Sequence, residues 1–303
     1  MLPHPCKLSK ASNNADDEAN NEDLISNLTE DLTDKILRLL PLSEAAKLGV
    51  LSKTWHNNWS CITSLCFDYN FGFKFWKKTK FDLERFNSVI NNILLLHQGL
   101  IHGFLLCFPN FKAVDDNEIT LNLRPWLCFL SRNGVKKITL DSNYSFAQIP
   151  SQIYMCKDLE KLILKSFFLI RPPTEFKGGL RNYLPLPFTH LNKLALRNLD
   201  LTDIDIYFCT FDLLQSCPSI KTLNISVGAS NDVDVQQKFD YDNDFKLGYL
   251  REVNFKGFQG SLKELTLIEY LLYFSNVLQR LFLQIEEIDD SLQLKVQKKL
   301  NGF

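Results

Sequence analysis

The sequence predicts an α/β chain in which a small helical module precedes an irregular solenoid with a curved parallel inner sheet. Three observations predict it. First, the pattern L-x-x-L-x-L, with other apolar residues substituting, recurs six times in order. The copies are Val135–Leu140, Leu159–Leu164, Leu191–Leu196, Ile220–Ile225, Leu250–Phe255 and Leu278–Leu283, and their fourth residues lie 24, 32, 29, 30 and 28 positions apart. One such hexamer carries little information. Six at similar intervals mark stacked units, none of which can bury its apolar face alone. Second, Leu28, Leu32, Ile36 and Leu40 recur every four residues ahead of the repeats, the spacing of one helical face. Third, 303 residues with 45% hydrophobic and 23% charged residues hold enough apolar material for one large or two unequal domains.

Residues 1–22 are rich in Asn, Asp and Glu, the composition of a disordered tail. Leu24–Ser64 then reads as three short helices. Asn27 and Glu30 are spaced as a reciprocal cap for the first, and Pro41 ends it by disfavouring helical geometry at the residue before. Ser43 is placed to cap the second, and Leu51, Trp55 and Trp59 stripe the third. Helices this short cannot bury so much apolar surface among themselves, so something else must cover it.

Downstream, Ser64–Phe75 alternates polar and aromatic residues and predicts a strand. Phe81–Leu96 predicts a helix with Phe86, Val89, Ile90 and Ile93 on one side, and Leu100–Phe108 a strand closed by Pro109. In each repeat the fourth and sixth residues point inward, and their neighbours point to the concave face because strand side chains alternate. Cys156 and Cys217 occupy positions suited to buried thiols. Arg171–Pro187, with four prolines, predicts a long surface crossing, and Asn231–Asp244 an acidic insertion. Asp240–Asp244 opens like a calcium loop, but Phe245 stands where glycine is needed and Arg251 where the bidentate glutamate is needed, so no calcium is expected.

The first segment resembles an F-box of the plant type, through Ile25-Ser26, Asp31, Leu40-Pro41 and Leu51-Ser52-Lys53-Thr54-Trp55. The C-terminal stretch Phe255-Lys256-Gly257-Phe258, Leu262-Lys263-Glu264-Leu265, Tyr270-Leu271-Leu272 and Val277–Leu281 resembles the FBD region that closes many plant F-box proteins with leucine-rich repeats. The resemblance implies an N-terminal three-helix F-box over 23–64, a leucine-rich-repeat region over 65–248 and FBD-like repeats over 249–303, shorter than the family's usual ending. It also implies a Skp-type adaptor, and a cullin through it, as partners. Leu28, Thr29, Ile36, Leu37, Leu40, Pro41, Leu51, Ser52 and Trp55 match the positions that lie in or beside the adaptor contact. The family's proline is Thr29 here, and proline pre-sets the first helical turn. The function implied by the resemblance is that of the substrate-recognition subunit of an SCF-type ubiquitin ligase, acting in nucleus or cytoplasm. The alternative is a repeat scaffold with no ligase attached.

Chemistry of other kinds is not indicated. Net charge is −1, which gives no bulk attraction to nucleic acid or an anionic membrane. Residues 1–10 lack the apolar core of a signal peptide, and Ile93–Phe108 is too short to span a bilayer. The eight cysteines are scattered without C-x-x-C or paired histidine spacing, as expected of thiols in a reducing compartment. There is no G-x-S-x-G, H-E-x-x-H or G-x-x-x-x-G-K, and the five histidines are far apart. No catalytic residue, metal or cofactor is expected. His97 and His102 read as packing or surface residues.

The concave positions carry the remaining signal. They are Lys137, Thr139, Asp141, Lys161, Ile163, Lys165, Lys193, Ala195, Arg197, Thr222, Asn224, Ser226, Glu252, Asn254, Lys256, Arg280, Phe282 and Gln284, of which seven are basic and two acidic. Lys161, Lys165, Lys193 and Arg197 crowd into neighbouring strands about 4.8 Å apart, so their charges repel unless an anion sits among them. These four are the candidate target-binding residues, for an acidic or phosphorylated segment or an anionic small molecule.

Overall fold

The structure, a computed structural model, describes residues 28–40, 42–51, 58–78, 80–108, 116–142, 147–169, 188–228 and 246–285. The described part opens with α1 (Glu30–Leu39) and α2 (Leu42–Leu51). Thr29 is the N-cap of α1 and its side chain makes no capping bond; the Thr33 hydroxyl instead donates to the Thr29 carbonyl at 3.1 Å. Asn27, the expected cap, lies outside the described residues. Leu40 turns to an extended conformation just before Pro41, as a residue preceding proline should. Because α2 already includes Leu42, Ser43 sits inside its first turn and is not its cap. Trp55 lies outside the described residues, while Leu51 closes α2 and Trp59 is half-buried against the core.

The predicted strand over Ser64–Phe75 is corrected. Only β1 (Ser64–Phe67) is extended, and Asp68 then caps α3 (Tyr69–Phe73) by accepting the Phe71 N–H at 2.8 Å. Aromatic packing explains the turn. Phe71 meets Phe67 with ring centroids 5.0 Å apart, and Phe75 meets Phe86 at 5.3 Å. An extended strand would keep residues four apart on the same face but about 13 Å from each other, so the chain must coil for the first contact to form. A hairpin of β2 (Trp76–Lys77) and β3 (Lys80–Phe81) leads to α4 (Leu83–Leu96), whose first turn is capped by Asp82. Its buried stripe is Phe86, Ile90 and Leu94, with Val89 and Ile93 at the margin. β4 (Gly103–Phe108) follows, then α5 (Asp116–Arg132), a helix the sequence pattern does not announce because Pro125 lies inside it. Trp126 on α5 donates its indole N–H to Asn91 of α4 at 2.6 Å.

The repeats then supply β5 (Lys137–Ser142), β7 (Lys161–Lys165), β9 (Lys193–Leu199), β10 (Thr222–Val227), β11 (Glu252–Phe258) and β12 (Arg280–Ile285). With β1 and β4 they form one eight-stranded sheet in the order β1-β4-β5-β7-β9-β10-β11-β12, every neighbouring pair parallel. One continuous rung runs Leu65, Phe104, Ile138, Leu162, Leu194, Leu223, Val253, Leu281. All but Leu281 on the edge strand are buried. This is the parallel sheet expected of stacked repeats, with two more strands than the hexamers announce.

Between strands lie β6 (Ala147–Ile149) and β8 (Phe167–Leu169), paired in a small parallel sheet, and a 3-10 turn at Ser151–Met155. Helices α6 (Ile204–Gln215) and α7 (Leu262–Phe274) complete the order. Phe86, Leu130, Leu214, Leu267 and Leu271 from the helices join Ile138, Leu162, Leu194 and Val253 from the strands in one core. α7 starts with a full capping box. The buried Glu264 accepts the N–H groups of Gln259 at 3.0 Å and Ser261 at 2.9 Å, yet burial still raises its pKa above the usual carboxylate value. Cys156 and Cys217 are buried as expected, and burial pushes the Cys156 thiol up to about 12. His97 clamps the approach to β4. Its Nδ1 accepts the Gly99 N–H at 3.2 Å and its Nε2 faces the Ile62 carbonyl at 2.9 Å, so burial favours the neutral ring.

Candidate binding surfaces

The face of the sheet turned away from the helical core presents three lateral rows. The first is Lys137–Lys161–Lys193–Thr222–Glu252–Arg280, in direct register across six strands. The second is Thr139–Ile163–Ala195–Asn224–Asn254–Phe282, and a third begins Asp141–Lys165–Arg197. The four predicted target-binding residues therefore do share one face on adjacent strands.

They are not equivalent. Lys165 lies 3.0 Å from Asp141, whose carboxylate also accepts the Tyr69 hydroxyl at 2.6 Å, and its ammonium stands 5.9 Å from the centre of the Tyr69 ring. That charge is answered within the protein, which sets it apart from the other three. Lys137 takes its place. It pairs in register with Lys161, and Lys161 with Lys193, so three ammonium-bearing side chains follow one another on one rung. Burial, and then the charges of Lys137, Lys193 and Arg197, hold the Lys161 ammonium below its ordinary pKa. Among the described residues none of these four cations forms an ion pair.

The second row corrects another expectation. Thr139, Ile163 and Ala195, read from the sequence as surface positions, are 9%, 9% and 5% exposed. Strands about 4.8 Å apart set long side chains on either side of each short one, and the stems of lysines shield apolar neighbours while their heads stay wet. Thr139 Oγ1 is buried with no hydrogen-bond partner among the described residues.

Toward β10–β12 the same face closes on itself. Asn254 donates to Asn224 at 2.9 Å and to Glu252 at 2.9 Å, and Glu252 pairs with Arg280 at 3.0 Å.

The second surface is α1. Thr33 and Leu37 face inward at 2% exposure each, while Leu28 and Leu40 are half-buried against the core. Leu32, Ile36 and Leu39 stand out at 46%, 37% and 85% exposed. Of the predicted adaptor residues, Ile36 and Thr29 are thus presented outward, and Leu37 packs inward instead. Pro41, Ser52 and Trp55 lie outside the described residues. Leu32 and Leu39 join the outward set; their signal was the 32, 36, 39 spacing, which lies on one helical face.

Among the described residues no three His, Cys, Asp or Glu side chains cluster as metal ligands, and no helix is long and apolar enough to cross a membrane. No family model matches the chain. Individual relatives do. An F-box/FBD/LRR-repeat protein of Arabidopsis thaliana is 31% identical over 206 residues, which is 67% of this chain and 44% of the relative. An F-box/LRR-repeat protein of the same plant is 26% identical over 210 residues, 69% of this chain and 61% of that protein. A further Arabidopsis F-box/FBD/LRR-repeat protein is 30% identical over 217 residues, 70% of this chain and 44% of its own length. The chain spans about half the length of these relatives. The repeats, the parallel sheet built from them and these relatives agree: the chain belongs to the plant F-box/FBD/LRR-repeat family.

Proposed function

We propose that the chain is the substrate-recognition subunit of an SCF-type ubiquitin ligase, acting in nucleus or cytoplasm. Residues 23–64 dock on a Skp-type adaptor, and through it a cullin, while the open face of the sheet holds a target protein. The chain itself performs no reaction. It raises the effective concentration of the target's lysines beside a conjugating enzyme carried by other subunits.

The observation that carries this reading is the outward apolar stripe Leu32, Ile36 and Leu39 on α1, in a chain whose relatives are named for an F-box. Burying one leucine-sized side chain contributes about 1.5–3 kcal/mol, so three suffice for a specific contact. A repeat scaffold without a ligase is the second reading. It is favoured by Thr29, which caps α1 without a side-chain bond where the F-box pattern has proline.

Co-expression with a Skp-type adaptor and capture on the tagged chain separates the two. The adaptor should co-purify, and the exposed-face double variant Leu32→Glu with Ile36→Glu should lose it while its thermal unfolding stays unchanged. Capture of adaptor by that variant at the parent's level overturns the docking assignment, and no capture by the parent favours the scaffold.

A further inference from the structure

The rung Lys137–Lys161–Lys193 is a positive row with no ion-pair partner among the described residues. The next cation along β7, Lys165, has Asp141 at 3.0 Å. These three have no such carboxylate among the described residues, and strand spacing keeps them about 4.8 Å apart. Arg197, exposed and four positions beyond Lys193 on β9, adds a fork of donors suited to bidentate contact with an oxyanion. An independent observation marks the same place. Thr139, on β5 between Lys137 and Asp141, keeps a buried hydroxyl without a hydrogen-bond partner among the described residues, and buried polar groups are almost always paired.

We propose that a phosphorylated segment of the target protein docks here, its phosphoryl group seated over Lys161 between Lys137 and Lys193 and gripped from one side by Arg197. This rests on the open face being the target-binding surface. A carboxylate carries one charge and two acceptor oxygens, too few to answer four cations. A phosphoryl group carries about −1.5 to −2 and three strong acceptor oxygens, so it can receive several donors at once. The rung also lies open to solvent, with Lys137, Lys193 and Arg197 exposed. A small anion there keeps water on its outer side, whereas a peptide laid over the rung covers it.

The test uses the full chain and three pools of short fluorescent peptides, random except for a central phosphoserine, serine or glutamate, titrated by anisotropy. The phosphoserine pool should bind at least about tenfold more tightly than either other pool, and the preference should shrink at high salt. Lys161→Glu with Lys193→Glu should remove it, as should the milder Lys161→Gln with Lys193→Gln, with folding followed by thermal unfolding. Lys256→Glu, on the same face but outside the rung, should leave it intact. Equal binding of the three pools, or a preference that survives both double variants, overturns the proposal. Displacement of the peptides by inorganic phosphate at comparable concentration overturns the peptide as occupant. Adaptor capture is scored separately: adaptor bound without phosphoserine preference removes this inference alone, and the preference without adaptor removes the ligase reading alone.

Discussion

Across one unbroken rung, β5, β7 and β9 present Lys137, Lys161 and Lys193, while β10, β11 and β12 present Thr222, Glu252 and Arg280. The backbone is the same repeated device in both halves. In the second half Asn224, Asn254, Glu252 and Arg280 find partners in one another. In the first half like charges stand side by side, and the middle one is disfavoured by burial and by its neighbours. A closed network spends its hydrogen-bonding capacity internally and has little left for a partner. An open cationic row instead weakens the isolated fold while attracting and orienting an anion. Register alone therefore does not decide which part of a repeat surface binds. The pairing of its side chains does.

The largest expected effect asks whether the halves are one cooperative body. Phe255 is fully buried beneath the closed half, its ring 5.5 Å from that of Phe258. Phe255→Ala should cost about 3–5 kcal/mol, and urea unfolding should remain a single transition. Two separated transitions, with the lysine half melting at its original midpoint, would show that the comparison is between two independent units.

Within the faces the signs should differ. Glu252→Ala deprives Asn254 and Arg280 of their acceptor and should destabilise by about 1 kcal/mol. Lys161→Met should do the reverse, raising the melting temperature. Solvent screening of a largely exposed charge limits that gain to less than about 1 kcal/mol. Destabilisation by both substitutions would mean that the lysine rung is not repulsive.

The smallest effect is a pH dependence. Lys161 is held below its usual 10.5 in the folded chain, so the unfolded chain binds more protons just below 10.5. Stability contributed by this residue must then rise as pH climbs through the window below 10.5, and fall back on acidification. Other lysines titrate nearby, so the measured quantity is the stability difference between the parent and Lys161→Met. That difference should narrow with rising pH, and a constant gap would remove the repulsion argument.

How much of the molecule is legible in its sequence depends on how far apart the interacting residues lie. Every hexamer from Val135–Leu140 to Leu278–Leu283 became a strand of the parallel sheet, because the alternation that buries Leu162 and Leu164 also turns Lys161 and Lys165 to the opposite face, and that alternation is local. The helical spacing of Leu32 and Ile36 was legible for the same reason. The sequence by itself thus determined the repeat period, the order of the strands and which residues share a face. Only the tertiary structure decided the rest. It recruited β1 and β4 through Leu65 and Phe104, which belong to no hexamer, and turned Phe71 and Phe75 out of a strand to meet Phe67 and Phe86. It joined Tyr69 to Asp141 across 72 residues of chain, which removed Lys165 from the free cations and left Lys137, Lys161 and Lys193 as the open row. Periodicity is written in neighbours a few residues apart, whereas a charge is paired or unpaired according to what the fold brings beside it.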